Sequence, residues 1–376
     1  MLNFLREKLH LDVAAALDFE QVLFPPPAEE IFTGGIIHPS VYIWDAWMFA
    51  EGREWNLYTL ASPRALYVDL GLDLAVFRDH LPHHWRRFVS DDAGKTWRDD
   101  GAVMMPRLET DYFDSRSIWT GSVLKHDGCY LAGYTGIRNT GDDSRPKLQA
   151  LGLAVSDDKR DFRPLTEEPL SCPLRDYEAI RDMSYYLGPR DTLGNNDGEE
   201  GGPILAWRDP WLVKDRNGTV HMLWGAKSTF AGRQEPVVGH GVLENLSGTP
   251  RLKLLSPIFL PDAENFTQIE VPQIRYNERH GLYVMMISTT NKTPDRPPQE
   301  YLFTLRFYVS ERLNGGWRPV RVRDITAEKR YPGIFFGLRE REDGKICAFY
   351  NIPFGDNCAE NLRHSLPAGL EETALF

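Results

Sequence analysis

Residues 43–62 read "IWDAWMFAEGREWNLYTLAS": an apolar, aromatic run, a polar turn closing on Gly52, and a second apolar run. Val, Ile, Tyr, Phe and Trp in short runs separated by a glycine turn predict a β-hairpin, the glycine supplying the positive φ that the turn needs. The same form recurs four times. "SIWTGSVLKHDGCYLAGYTG" (117–136) turns at Gly128, and "WRDPWLVKDRNGTVHMLWGAK" (207–227) turns at Gly218. "VPQIRYNERHGLYVMMISTT" (271–290) turns at Gly281, and "GIFFGLREREDGKICAFYN" (333–351) turns at Gly344.

Successive turn glycines lie 63 to 90 residues apart, so five copies span nearly the whole chain. Between several copies a further strand recurs with a shared ending, apolar-Val-Ser, then a polar turn, then an aromatic followed by Arg. It is seen in "RRFVSDDAGKTWRDDG" (86–101), "LGLAVSDDKRDFRPL" (151–165) and "LRFYVSERLNGGWRPV" (305–320). A hairpin plus further strands, repeated at intervals of this size, is the pattern of propeller blades. The expected fold is therefore all-β, a five-bladed β-propeller over residues 31–355. The rival is a β-sandwich with coincidental hairpins. Residues 1–30, with Leu2, Leu5, Leu9 and Val13 on one face, predict a short N-terminal helical extension. Residues 356–376 predict a C-terminal tail that closes or packs on the propeller. The polar, glycine-rich "GPRDTLGNNDGEEGGP" (188–203) predicts a loop at one mouth.

Composition narrows the function. Aromatic residues make up 12% of the 376, including ten Trp and 15 Tyr, which suits a β protein with a ring-binding surface. A net charge of −11 without a basic stripe argues against nucleic acid. No apolar run is long enough to span a membrane and no signal peptide is visible, so a cytoplasmic protein is expected. Cys129, Cys172, Cys347 and Cys358 show no CxxC spacing and read as ordinary thiols. His80, His83 and His84 in "HLPHHW" read as surface-loop histidines. No Walker loop, dinucleotide fingerprint, Ser-His-Asp set or metal-ligand spacing appears, so neither cofactor nor metal is expected. A small-molecule carbohydrate is the expected partner.

In a propeller the first strand of each blade lines the central channel, and the upstream ends of these strands converge on one funnel. Asp45, Asp209 and Glu270 all stand at upstream ends of first strands, with Trp44, Trp119 and Trp207 beside them. Burying carboxylates together is costly, and repulsion and desolvation should raise the pKa of at least one. One protonated acid beside one ionised acid is what glycoside cleavage needs.

These residues also carry a family resemblance. "VYIWDAW" resembles the tryptophan-aspartate motif of levansucrases, "IWTGS" their Trp-Ser-Gly-Ser, "WRDPW" their Arg-Asp-Pro motif and "QIEVP" their Glu-Arg-Pro segment. Together they resemble glycoside hydrolase family 68 and the invertases and fructanases of family 32, in the same order, over residues 38 to 340. The resemblance implies a five-bladed propeller that cleaves β-fructofuranosides, sucrose or fructo-oligosaccharides, as a retaining hydrolase or fructosyltransferase. It implies that Asp45 is the nucleophile, that Glu270 is the general acid and base, and that Asp209 stabilises the transition state. Trp44, Trp119, Thr120, Arg208, Gln268 and Tyr331 become substrate-contacting candidates. Thr120 stands where the family has Ser, Gln268 and Val271 flank the acid where levansucrases carry an acid and Arg, and "MMISTTNKTP" lacks an arginine that the family places there. An inverting arabinofuranosidase- or xylosidase-like propeller, or a non-catalytic sugar-binding one, are the alternatives.

Overall fold

The computed structural model describes residues 21–33, 35–65, 78–108, 111–142, 144–195, 206–230, 233–293, 296–297, 300, 303–320, 335–340, 346–351 and 370–374. Their strands form five antiparallel sheets. Blade I comprises β2 (Val41–Glu51), β3 (Glu54–Pro63), β4 (His84–Ser90) and β5 (Thr96–Met104), with β1 (Ile31–Thr33) added along the free edge of β5. Blade II comprises β6 (Ser117–His126), β7 (Cys129–Ile137), β8 (Gln149–Ser156) and β9 (Arg163–Pro164). Blade III comprises β10 (Arg208–Lys214), β11 (Val220–Phe230), β12 (Arg233–Glu244) and β13 (Arg251–Ile258). Blade IV comprises β14 (Gln268–Asn277), β15 (Leu282–Thr290), β16 (Phe303–Ser310) and β17 (Arg318–Val320). A last sheet contains β18 (Phe335–Glu340), β19 (Ile346–Asn351) and β20 (Leu370–Ala374).

The first strands are neighbours in chain order: β2 meets β6, β6 meets β10, β10 meets β14, β14 meets β18, and β18 returns to β2. A sandwich has no such cyclic arrangement, so the molecule is an all-β propeller. The expectation of five full blades is corrected among the described residues. Four sheets have four or more strands, and the fifth position holds a three-stranded sheet whose outer strand comes from residues 370–374. Residues 321–334 and 352–369, which flank those strands in the chain, lie outside the described residues. So does most of the expected helical extension, of which residues 21–23 are helical.

The turn glycines do what the sequence requires of them. Gly52, Gly128, Gly218 and Gly281 have φ of 60°, 87°, 83° and 65° at the inner hairpins of blades I to IV; Gly344 falls outside the described residues. Apolar layers fill the gaps between blades. Trp47, Tyr58 and Trp85 of blade I pack with Ile118, Val123 and Tyr134 of blade II. Between blades II and III lie Leu151, Leu153, Met222 and Trp224, roofed by Ile180 of a short α-helix, α1 (Tyr177–Asp182). Ile269, Met285 and Tyr308 of blade IV pack against Leu223 and Val238 of blade III. Each such side chain taken out of water contributes roughly 1.5–3 kcal/mol, so the interblade layers hold the ring together.

The stretch before β1 is strapped to blade I by one buried ion pair. Arg86 donates to Asp99 from Nε and Nη2 and to the carbonyls of Pro25 and Pro26, while Asp99 also accepts from the Ala28 amide. His38 shares Asp99 at 2.9 Å. Burial alone would raise the Asp99 carboxyl. The hydrogen bonds from His38 and Arg86 outweigh it and hold the group below the usual carboxylate range.

Candidate active site

Every first strand breaks its register near its upstream end. The irregularities fall between Trp44 and Trp47 in β2, Trp119 and Gly121 in β6, Arg208 and Trp211 in β10, Glu270 and Gln273 in β14, and Phe335 and Gly337 in β18. A bulge re-aims the side chains around it and increases local twist. Aligned on the bulge, Asp45, Thr120, Asp209 and Val271 are equivalent positions, and Trp44, Trp119, Arg208 and Glu270 are the residues just before them. Asp45, Asp209 and Val271 have φ of 47°, 60° and 46°. Aspartate visits that left-handed region with modest cost, whereas β-branched Val271 is a genuine outlier of the kind that clusters at functional sites.

Hydrogen bonds join these bulges across the hub. Thr120 Oγ1 donates to Asp45 Oδ2 at 3.4 Å, and the Val271 amide donates to Asp209 Oδ2 at 3.0 Å. Arg208 Nη2 donates to Glu270 Oε1 at 3.2 Å, while its Nε lies 3.9 Å from Asp209 Oδ2. Gln268 Nε2 also donates to Glu270 Oε1. Asp209 and Arg208 are sealed, each with a side chain 5% exposed, whereas the Glu270 side chain keeps 30% of its surface open. One glutamate oxygen is thus held by two donors at the edge of solvent, beside a buried aspartate that shares the same arginine. Such a set can present a carboxyl to an entering molecule while fixing its orientation.

Asp45, Trp44 and Trp119 are each partly exposed, and Thr120 is buried beneath them. Trp44 packs edge-on against His83 with ring centroids 4.8 Å apart, and the Trp119 carbonyl accepts from Trp85 Nε1 at 2.9 Å. The structure therefore brings Trp44, Asp45, Trp119, Thr120, Arg208, Asp209, Gln268 and Glu270 to the bulged ends of four adjoining strands. Tyr331 lies outside the described residues.

Two expectations are corrected. Trp207 is not a wall of the site. It stands one residue before Arg208, so strand alternation turns it outward into the layer between blades II and III, where it meets Tyr185 and Trp224 and donates to Ser171 Oγ. His83 and His84 are not surface histidines. They are 2% and 0% exposed, His84 lying in β4 opposite Ala61 with its ring edge-on to Phe24. Burial, then the charge of Arg86, push the His84 imidazole well down, so it is neutral. Among the described residues no group of three or more His, Cys, Asp or Glu is arranged to hold a metal ion. Cys129 and Cys172 are free thiols, and Cys172 lines a cavity of about 240 Å³ on blade II with Phe113, Leu148 and Arg175, which none of the expected site residues enters.

Two further hydroxyls complete the hub, one on Thr135, which no motif covers, and one on Ser122, the last residue of "IWTGS". Thr135 of β7 and Ser122 of β6 are fully buried hydroxyls. Thr135 Oγ1 accepts from the Asp209 amide at 2.9 Å and donates to the Thr120 carbonyl at 3.3 Å. Ser122 Oγ donates to the Pro210 carbonyl at 2.9 Å and accepts from the Leu212 amide at 2.8 Å. The one sequence signal of Thr135 is a hydroxyl residue inside an otherwise apolar strand, whereas Ser122 closes the quoted "IWTGS".

The ring of blades is a propeller like those of glycoside hydrolase families 32 and 68. Residues 77–187 match the glycosyl hydrolases family 32 N-terminal domain, so the family 32 side of the resemblance is borne out over blade II and the outer half of blade I. An inulosucrase from Halalkalicoccus jeotgali bound to kestose is similar over 93% of this chain and 87% of its own, at 19% identity and a TM-score of 0.59. A GH32 beta-fructofuranosidase from Bombyx mori is similar over 100% of this chain and 66% of its own, at 14% identity and a TM-score of 0.53. An endo-arabinase from Bacteroides thetaiotaomicron shares the fold over 92% of this chain and 97% of its own, at 16% identity and a TM-score of 0.50. At such identities these likenesses speak for the fold. No curated protein sequence matches the chain.

Proposed function

We propose that the protein is a glycosidase that cleaves β-fructofuranosides, sucrose or fructo-oligosaccharides, with retention, and that the three-stranded last sheet is its fifth blade. The observation that carries the reading is the placement of Asp45, Asp209 and Glu270 at the bulges of three inner strands, with Glu270 oriented by Arg208 and Gln268.

Asp45 attacks the anomeric carbon of the fructosyl unit, and the bond from that carbon to the leaving oxygen breaks as Glu270 passes its proton to that oxygen. Asp209 stabilises the oxocarbenium-like charge at the ring. In the second half, Glu270 takes a proton from water or from a sugar hydroxyl, whose oxygen displaces Asp45 from the same carbon. Water gives hydrolysis and a sugar hydroxyl gives transfer. Thr120 holds the Asp45 carboxylate, and Trp44 and Trp119 offer apolar faces to the sugar.

The family 32 match and the likeness to the inulosucrase and the fructofuranosidase support this reading. The likeness to the endo-arabinase, and to a β-xylosidase at a TM-score of 0.51, favours a second one, an inverting hydrolase of arabinofuranosides or xylosides. One panel separates them: sucrose, kestose, inulin oligosaccharides, nitrophenyl arabinofuranoside and nitrophenyl xyloside, with the first-formed anomer followed by NMR. Release of β-fructofuranose from the fructosides is expected. Inverted arabinose or xylose, with the fructosides untouched, would establish the second reading. Sugar binding with no release by wild type or Asp45→Asn would leave a binding propeller.

A further inference from the structure

The bulges of blades I to IV are wired in series. Thr120 Oγ1 donates to Asp45, Thr135 Oγ1 donates to the Thr120 carbonyl, the Asp209 amide donates to Thr135 Oγ1, and the Asp209 carboxylate accepts from the Val271 amide next to Glu270. Thr135 is the one member that belongs to no first strand. It lies on β7 directly opposite Trp119, beside the point where β6 bulges, and it is fully buried. Its single hydroxyl satisfies two groups that the bulges strip of sheet partners, an amide on one blade and a carbonyl on the next.

That placement has a mechanical consequence. Asp209 has φ of 60°, and its amide, turned out of the ladder by the bulge, ends on Thr135 at 2.9 Å. A buried amide deprived of its acceptor costs about 1–3 kcal/mol, comparable with the cost of a left-handed non-glycine residue, so the backbone would relax to find another partner. Relaxation at Asp209 would move its carboxylate away from the Val271 amide. The same hydroxyl bears on the Thr120 carbonyl, and through Thr120 on Asp45.

We propose that Thr135 is a positioning residue that sets the Asp209 carboxylate, and secondarily Thr120, in the geometry used during turnover. This rests on the function proposed above. Thr135 touches no substrate in this account, so its loss should appear in kcat and leave KM nearly unchanged.

The test uses Thr135→Val, which keeps shape and removes the hydroxyl, and Thr135→Ser, which restores it. A displacement of about 1 Å at a reacting group costs on the order of 10²-fold, so Thr135→Val should lower kcat about 10- to 100-fold with KM within about threefold. Thr135→Ser should return kcat to within about threefold of wild type. Asp209→Gly removes the carboxylate yet tolerates the left-handed backbone. In that background Thr135→Val should cost no further activity, whereas a general structural lesion would multiply. Hydrogen exchange over residues 206–213 gives a reading independent of turnover: Thr135→Val should release protection at the Asp209 amide, and Thr135→Ser should not. Unchanged protection would overturn the positioning, including in a protein inactive on every furanoside, where the functional reading fails separately. Lost protection with unchanged kcat in an active protein would overturn the role in turnover. Should Thr135→Val fail to fold, Thr135→Cys, of similar size and with weak hydrogen bonding, carries the same readings.

Discussion

Asp45 and Asp209 occupy a backbone conformation that aspartate and asparagine tolerate and most residues do not. Asparagine is therefore the substitution that probes charge without disturbing the bulge. Asp45→Asn should melt within a few degrees of wild type and lose at least about 10³-fold in kcat on sucrose, since the attacking oxygen is replaced. Circular dichroism melting beside initial rates checks both halves, and retained turnover would remove Asp45 from the chemistry. Glu270→Gln separates the acid step from the rest. It should cost about 10²- to 10⁴-fold on sucrose, whose leaving oxygen needs a proton. On a nitrophenyl fructofuranoside, whose leaving group departs unprotonated, the first step should be spared, giving a burst of nitrophenolate. A nitrophenyl substrate that gives no burst, its first step slowed as much as that of sucrose, would deny Glu270 the acid role. At this scale the motifs in the chain mark strand positions, because Trp-Asp, Arg-Asp-Pro and the glutamate before Val-Pro each fall at the upstream bulge of an inner strand. Trp207 was misplaced because side-chain direction around a bulge depends on which residue is inserted, and no local pattern states that.

The hairpins were legible because each turn needs positive φ and recruits glycine to reach it, as at Gly52, Gly128, Gly218 and Gly281. The bulges were not. They arise from pairing with the second strand of each blade, where Trp44, Arg208 and Glu270 stay in register and the following two residues face one partner. Thr135 was illegible for the same reason, since its work is to satisfy groups that the bulges strand on a neighbouring strand or blade, and Ser122, though inside "IWTGS", gave no hint of its partners on the next blade. The burial of His83 and His84 likewise follows from the seating of β4 against β3 and the segment before β1. Close approach at the bulge gives a prediction for the element itself. A Cβ on Gly121 would stand 2.0 Å from the Gly133 carbonyl oxygen and 2.6 Å from the Trp85 ring. Neither neighbour can move freely, because Gly133 is in the ladder opposite Ser122 and Trp85 is packed against Trp47 and Phe162. Gly121→Ala should destabilise the protein by on the order of 3 kcal/mol, read as a lower urea midpoint. Gly128→Ala, which meets nothing within 4 Å, should cost only about 1 kcal/mol through its φ of 87°. Equal midpoints for the two variants would show that the blades do not pack this closely.

Across the molecule, several imidazoles are folded in as neutral groups, and this sets the response to acid. Burial pushes His84 well down and lowers His38 and His221, and burial together with His221 lowers His240 to about 4. His221 and His240 are bonded ring to ring at 2.9 Å on blade III, while His84 lies in β4 of blade I and His38 in the link that enters β2, so the effect is spread over two blades. An unfolded histidine binds its proton near pH 6.5 and these folded ones do not. Between that pH and the folded value the unfolded chain holds more protons, so stability falls as pH falls. For His240 the loss begins near pH 6.5 and levels off near pH 4. Asp99 adds the opposite kind of group, whose folded carboxyl is held below its usual range by His38 and Arg86, so its contribution is present above about pH 4 and lost below it. The two windows adjoin, and the protein should lose stability continuously from neutral pH downward, first through the buried imidazoles and then through the carboxylates. Urea midpoints at pH 7.5, 6, 5 and 4 should decline at each step. His240→Gln, which removes one titrating imidazole, should flatten the decline between pH 6 and 4 while lowering the midpoint at pH 7.5. A midpoint that holds level from pH 7.5 to 5 would mean that these imidazoles are protonated in the fold, and hence that water reaches the blade interiors.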